Sequence, residues 1–358
     1  MSNKGYTKIK LDIASPNPPK SNILIIYTGG TIGMGASADG SLIPFDFMKV
    51  IEHVPEINVF DLYITFISFD DPIDSSDIDT SHWNRIIDII LSNADEHDGF
   101  VVLHGTDTMA YTACALSYAL CGLNKPIVIT GAQLPATVPR TDARENLVTS
   151  LEIASAKDAM GNAIVPEVCI FFNHFLVRGN RAQKMESAKF NAFRSENYPP
   201  LAEAGVKIIY NHAAILSSVE APAPTQVPKW FTGVAVLPVF PGITKEAVQP
   251  ILNNPAIKGV VLETYGAGNA LTSSWFTDCI KQAVANEVII INVSQCVGGQ
   301  VMQGMYATSA HLQEAGVLSG SDITVEAAIT KLMFVLGMEN SYKNAINQVL
   351  QPICGELS

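Results

Sequence analysis

The sequence predicts an α/β fold in two domains: a larger N-terminal domain with a mainly parallel sheet flanked by helices, then a smaller C-terminal α/β domain. Three observations carry that expectation. Short β-rich runs alternate with helix-patterned stretches for most of the length. The runs are continuously apolar rather than alternating, as when both faces of a parallel sheet are covered. The 358 residues also exceed what one hydrophobic core usually serves.

In chain order, the first 22 residues place Lys4, Lys8, Lys10 and Lys20 around Pro16, Pro18 and Pro19 and lack the apolar core of a signal peptide. Ile23 to Tyr27, Val59 to Ile67, Phe100 to His104, Pro126 to Thr130 and Val168 to Phe172 read as strands. Trp83 to Leu91, Thr108 to Leu120 and Ala143 to Ala156 read as helices between them. That alternation implies right-handed crossovers. Glu220 to Pro228 holds Pro222, Pro224 and Pro228 and reads as an extended connection. The βα pattern resumes with Gly233 to Val239, Gly259 to Glu263 and Val288 to Val293. In Thr324 to Leu336, the residues Val325, Ala328, Ile329, Leu332 and Leu336 repeat at helical spacing. The expected domains are therefore 1–211 and 232–358, with 212–231 as the linker.

Twenty-two basic against 34 acidic residues give a formal charge of −12. That balance excludes nucleic acid and anionic membrane surfaces as main partners, since both need clustered Lys and Arg. No run approaches the roughly 20 apolar residues of a membrane span. Cys114, Cys121, Cys169, Cys279, Cys296 and Cys354 are scattered, with no Cys-x-x-Cys pair, and read as reduced, buried thiols. The location expected is cytoplasmic. No metal-ligand cluster and no cofactor motif is present, so neither a metal nor a cofactor is expected.

Ligands of open α/β sheets bind at the carboxyl ends of strands, and two turns there are rich in hydroxyls. The first strand runs into Thr28-Gly29-Gly30-Thr31-Ile32-Gly33, where paired glycines allow a sharp turn and close backbone approach. A phosphate-binding turn is the other reading. Yet no G-K-S/T follows, and the loose G-x-G-x-x-A match begins several residues after the strand. The third strand ends in His104-Gly105-Thr106-Asp107-Thr108. Helix capping by Thr106 or Thr108, with Asp107 at the positive end of the dipole, would account for that segment. A hydroxyl beside a carboxylate is also what an amide hydrolase needs, because a hydroxyl is a weak nucleophile until a neighbour activates it.

Ile25 to Gly33 and Gly99 to Met109 together resemble the two signatures of the bacterial asparaginase/glutaminase family, most closely its cytoplasmic type I members. The resemblance continues through Asp74-Ser75-Ser76-Asp77, Val128-Ile129-Thr130-Gly131-Ala132-Gln133, Arg178-Gly179-Asn180-Arg181 and Tyr265-Gly266-Ala267-Gly268-Asn269-Ala270. It implies hydrolysis of L-asparagine to L-aspartate and ammonia, with Thr31 attacking the side-chain amide to form an acyl-enzyme. Thr106, Asp107 and Lys184 are implied as the second catalytic group. Gly30, Asp74, Ser75, Thr106, Asp107, Ala132 and Asn269 are implied to bind substrate, Ala132 through its carbonyl and Asn269 from a neighbouring subunit. A homotetramer, or dimer of dimers, is implied as the assembly.

Read without the resemblance, Asp74 to Asp77 is equally a turn and cap, and Arg178 to Lys184 a solvated basic loop. His104 ends a strand and reads as structural rather than as a base. Many relatives carry a tyrosine on the loop after the first threonine, whereas Asp39-Gly40-Ser41-Leu42-Ile43-Pro44 has none. Tyr27 precedes the glycines and does not substitute by position; Ser41 is the stand-in considered. Glutaminase or dual activity is the nearest alternative, since one methylene separates the substrates. A non-catalytic asparagine-binding regulator is the alternative from another class.

Overall fold

The computed structural model describes residues 5–11, 17–36, 42–44, 54–217, 222–304, 307–339 and 341–358. The chain divides into two compact units, residues 1–195 with 199–227, and residues 196–198 with 228–358. Part of the proline-rich connection, residues 218–221, lies outside the described residues.

In the first unit, nine strands among the described residues form one sheet. Their order is Tyr6–Leu11, Leu62–Ile73, Ser21–Gly29, Gly99–Leu103, Ile127–Thr130, Val168–Phe172, Phe175–Arg178, Ala202–Ala204 and Ile208–Tyr210. The five strands from Leu62–Ile73 to Val168–Phe172 are mutually parallel. Antiparallel strands close both sides. The continuous apolar runs have the burial they predicted. Ile23, Leu24, Ile25, Ile26, Val101, Val102, Val128 and Ile129 are all fully buried, each side chain contributing about 1.5–3 kcal/mol of transfer free energy.

Helices Thr80–Ser92, Met109–Ala119 and Ala143–Ser155 fall between the parallel strands. The first starts three residues earlier than the hydrophobic repeat indicates, because Asp79 supplies its cap. The Asp79 carboxylate accepts from the backbone of Ser81 and His82, and the His82 ring accepts from Asp79 N–H, completing a capping box. One expected strand is corrected. Pro55–Val59 is a 3-10 turn, and the strand begins only at Leu62. Pro55 is preset for a helical first turn, and Val59 is 71% exposed, so β-propensity there had no sheet to join. The antiparallel Tyr6–Leu11 strand was not anticipated in the lysine-rich leader.

In the second unit Val234–Pro238, Gly259–Thr264, Ile289–Ser294 and Leu318–Ser319 form a parallel sheet in sequence order. Helices Lys245–Leu252, Ser274–Ala285 and Ala307–Glu314 connect them. Helix Val325–Met338 is capped by the Thr324 hydroxyl, which accepts from Ala327 N–H. It carries Lys331, which is fully buried against fully buried Glu356 with N and O 2.6 Å apart. Lys331 also donates to the Gln351 carbonyl, and the Glu356 carboxylate accepts from Ile353 and Cys354 N–H. The C-terminal segment is thus clasped to the helix by one charge pair reinforced from the backbone of Gln351, Ile353 and Cys354.

Glu356→Gln keeps the shape but leaves the Lys331 ammonium without its counter-charge. It is expected to lower unfolding free energy by about 3–5 kcal/mol, read by urea denaturation. The double variant Lys331→Met/Glu356→Gln is expected to lose less than the sum of the single losses.

Candidate active site

The Ser21–Gly29 strand lies between Leu62–Ile73 and Gly99–Leu103. Chain leaving it crosses to the first neighbour, whereas chain leaving Gly99–Leu103 moves the opposite way, to Ile127–Thr130. Turns at two adjacent carboxyl ends therefore diverge, and the crevice between such turns is where open α/β sheets admit ligands. Thr31 stands on one turn and Thr106 on the other.

Gly29 and Gly30 have φ of 139° and 87°, values that disfavour any side chain. Space forbids one as well. A Cβ on Gly29 would lie 2.1 Å from the Ile73 carbonyl oxygen, and one on Gly30 would lie 2.5 Å from both Cα and N of Gly105. The first turn is thus pressed backbone to backbone onto the second. Thr28 adds a buried bond, its hydroxyl donating to the Leu103 carbonyl at 3.0 Å. Thr31 follows half-buried at the head of a 3-10 turn, Thr31–Gly33. Tyr27 is buried, with its phenol packed against the Cα of Gly33, and burial pushes its pKa up. That holds the phenol neutral. Of the loop stretch compared above, residues 39–41, including Ser41, lie outside the described residues.

On the second turn the Lys184 ammonium donates to the Thr106 hydroxyl at 2.8 Å and to Asp107 Oδ1 at 2.6 Å. The lysine side chain is 19% exposed and the aspartate 63%, so the pair faces the crevice with the ammonium on the inner side. Lys184 reaches this place because the segment before it is anchored. Arg178 and Arg181 are 3% and 2% exposed. The Arg178 guanidinium meets Glu167 at 2.7 Å and donates to the Ala214 carbonyl, while Glu167 also accepts from Leu216 N–H. The solvated-loop reading of Arg178 to Lys184 is therefore corrected: its arginines are core groups.

Ser75 joins the same turn. It is 4% exposed, and its hydroxyl accepts from Asp107 N–H at 3.3 Å. A Cβ on Gly105 would lie 2.5 Å from that hydroxyl oxygen. Thr108 is the N-cap of helix Met109–Ala119, but its hydroxyl does not cap. It donates to the Ser75 carbonyl at 2.6 Å instead, so the capping expectation is met in position and not in bonding. Asp74 does act as a cap, Oδ1 accepting from Ser76 N–H and hydroxyl at 3.0 Å each; the carboxylate remains exposed.

His104 is fully buried within a directed hydrogen-bond chain. Trp83 Nε1–H, a donor only, gives to the Thr112 hydroxyl at 3.1 Å, which lies 2.9 Å from His104 Nε2. His104 Nδ1 lies 2.7 Å from the Gly105 carbonyl, an acceptor only. The two ends fix one tautomer: Thr112 donates to Nε2, and Nδ1–H donates to Gly105. Burial lowers the imidazole pKa from 6.5 to about 4. His104 is neutral and structural, holding the turn that bears Thr106. Trp83 and Thr112 carry no local motif, so nothing in the sequence marks them.

Ala132 is buried two residues past the end of the Ile127–Thr130 strand. A Cβ on neighbouring Gly131 would lie 2.3 Å from the His104 carbonyl oxygen, which places this third turn beside the Thr106 turn. Asn269 belongs to the second unit. There its backbone pairs with Tyr265 in both directions at 2.9 Å, around Gly266 and Gly268 at φ 48° and 102°. Six predicted residues (Gly30, Ser75, Thr106, Asp107, Lys184 and Ala132) are thus joined directly or through Gly105 and His104.

The family model for "Asparaginase, N-terminal" matches residues 22–216, and that for "Glutaminase/Asparaginase C-terminal domain" matches residues 233–349. L-asparaginase 1 of Escherichia coli (strain K12) is 37% identical over 349 residues, 95% of this chain and 98% of that protein. The 60 kDa lysophospholipase of Mus musculus is 34% identical over 375 residues, 95% of this chain and 63% of that one. Among solved structures, L-asparaginase I from Vibrio cholerae superposes with a TM-score of 0.85 at 36% identity, covering 95% of this chain and 99% of that one.

Because His104 binds a proton less readily folded than unfolded, its stabilising contribution is present above about pH 6.5 and is lost as the pH falls through about 4. Guanidinium denaturation across that window is expected to show stability falling with pH, and a shallower fall in His104→Gln.

Proposed function

Because this chain belongs to the asparaginase family, we propose that it is an amidohydrolase converting L-asparagine to L-aspartate and ammonia through a threonine nucleophile. The observation that carries the reading is the Lys184 ammonium bonded at once to the Thr106 hydroxyl and to Asp107, across from the Thr31 turn. An ammonium held by a carboxylate lowers the cost of developing charge on the bonded hydroxyl, which is then able to relay a proton.

In this scheme Thr31 Oγ attacks the side-chain amide carbon, its proton passes to the departing nitrogen, and the C–N bond breaks to release ammonia. Water then adds to the resulting ester; its hydroxyl stays on the acyl carbon as the carboxylate forms, and a proton returns to Thr31. Thr106, Asp107 and Lys184 position and polarise the groups that exchange protons. Asp74 and Asp107 suit the substrate's ammonium, and Ser75 with backbone N–H groups of Gly30 and the Thr106 turn suit its carboxylate and the oxyanion. The Ala132 carbonyl takes an N–H of the amide. Asn269, from a neighbouring copy in a homotetramer, completes the pocket. A cytoplasmic location belongs to the same proposal: all six cysteines are free thiols, which suits a reducing compartment. Among the described residues no helix is long and apolar enough to cross a membrane.

Glutamine is the competing substrate, since a pocket separates compounds differing by one methylene by only about 1–3 kcal/mol. The purified protein is expected to release ammonia from asparagine faster than from glutamine, and to leave a lysophospholipid intact. Thr31→Ala is expected to abolish release, and Lys184→Met to lower kcat by roughly 100- to 10,000-fold. Near-normal hydrolysis by Thr31→Ala, with loss in Thr106→Ala, would overturn the assignment of the nucleophile.

A further inference from the structure

The turn that carries Ala132 is held by residues outside the proposed catalytic and binding set. Asp142 is the N-cap residue of helix Ala143–Ser155, yet its side chain caps nothing in that helix. Its carboxylate accepts instead from Gln133 N–H at 2.9 and 3.1 Å and from Leu134 N–H at 3.1 Å. Asn146, one turn further on and 1% exposed, donates from Nδ2 to the Gly131 carbonyl at 2.9 Å and to Asp142 at 3.3 Å. Its Oδ1 accepts from Asn173 N–H at 3.2 Å, so every polar atom of this buried amide is occupied. Both side chains thus pull on the two peptides that flank Ala132.

Peptide planarity turns those bonds into a direction. A trans peptide points its C=O and N–H opposite ways, and no described bond is cis. Ala132 C=O shares its plane with Gln133 N–H, which Asp142 holds, so the Ala132 oxygen points away from Asp142. Ala132 N–H shares its plane with the Gly131 carbonyl, which Asn146 holds, so it too points away from the helix. A second clasp fixes the far side of the turn: Gln133 Nε2 donates to the Lys189 carbonyl at 2.9 Å, just beyond the Lys184 segment.

We infer that Asp142 and Asn146 are positioning residues, which act by aiming the Ala132 peptide oxygen at an N–H of the substrate's carboxamide. The inference deepens the hydrolase reading above and rests on it. Its chemical consequence concerns the leaving group. An amide presents N–H donors to that oxygen as nitrogen departs, whereas the β-methyl ester of aspartate has no N–H there and has no use for it.

The test compares ammonia release from asparagine with methanol release from aspartate β-methyl ester in the full-length protein. For Asp142→Ala, amide turnover is expected to fall roughly 10- to 100-fold while ester turnover stays within about threefold. Asp142→Asn retains an acceptor for Gln133 N–H and is expected to recover most amide turnover. Thermal melts by circular dichroism report folding independently. Equal loss of ester and amide turnover, or no loss of either in a folded Asp142→Ala, overturns the positioning role. A wild-type protein that cleaves neither compound overturns the hydrolase reading, and this inference with it.

Discussion

Two βα turns meet with their backbones in contact, and the site follows from that. Gly30 lies so near the Gly105 backbone that it tolerates no side chain, and Gly105 is denied one in turn by the Ser75 side chain. Steric exclusion at this range is all-or-none: a single methyl at Gly30 would have to displace the Gly105 backbone. The contact brings the strand end bearing Thr31 to the strand end bearing Thr106, and it is reached because the two crossovers diverge at this point of the sheet. Bonds that radiate from it then hold the surrounding groups: Thr28 to Leu103, Thr108 to Ser75, and His104 to Gly105.

Charge is used in two ways within the chain. Arg178 with Glu167, and Lys331 with Glu356, are buried pairs that each take further hydrogen bonds from backbone groups. Burial of that kind stabilises only when complete; these pairs fasten segments, the first leading out of the first unit and the second closing the C-terminus. Lys184 with Asp107 is the opposite case. The aspartate stays largely exposed, so the pair keeps access to solvent and to a ligand while the Thr106 hydroxyl is polarised. His104 shows how the two roles separate within three residues. Burial keeps its imidazole uncharged and both ring nitrogens are taken by Gly105 and Thr112, so it serves as a brace for the turn.

Much of this was legible in the sequence, and for a physical reason. Continuous apolar runs such as Ile23 to Ile26 require two covered faces, and paired glycines before Thr31 require a turn with no room for Cβ; both are local constraints written in residue type. Strand ends were less legible where a turn competed. At Pro55–Val59 proline chemistry outweighed β-propensity, and Thr108 spent its hydroxyl on Ser75 rather than on its own helix. Arg178 to Lys184 reads as a solvated basic loop because local composition carries no information about Glu167 and the carbonyl of Ala214, which bury Arg178.

The sequence by itself determined the parallel α/β class, the two glycine-framed threonine turns, and the family to which their order points. Each is a matter of near neighbours along the chain. Tertiary structure alone decided that Lys184 bonds Thr106 and Asp107 from 78 and 77 residues away. It also decided which partners fix the His104 ring, Thr112 and the Gly105 carbonyl, and that Asp142 and Asn146 hold the Ala132 turn. Those outcomes depend on which groups lose water together when the sheet closes, and on the one direction a planar peptide leaves open once its partner bond is made.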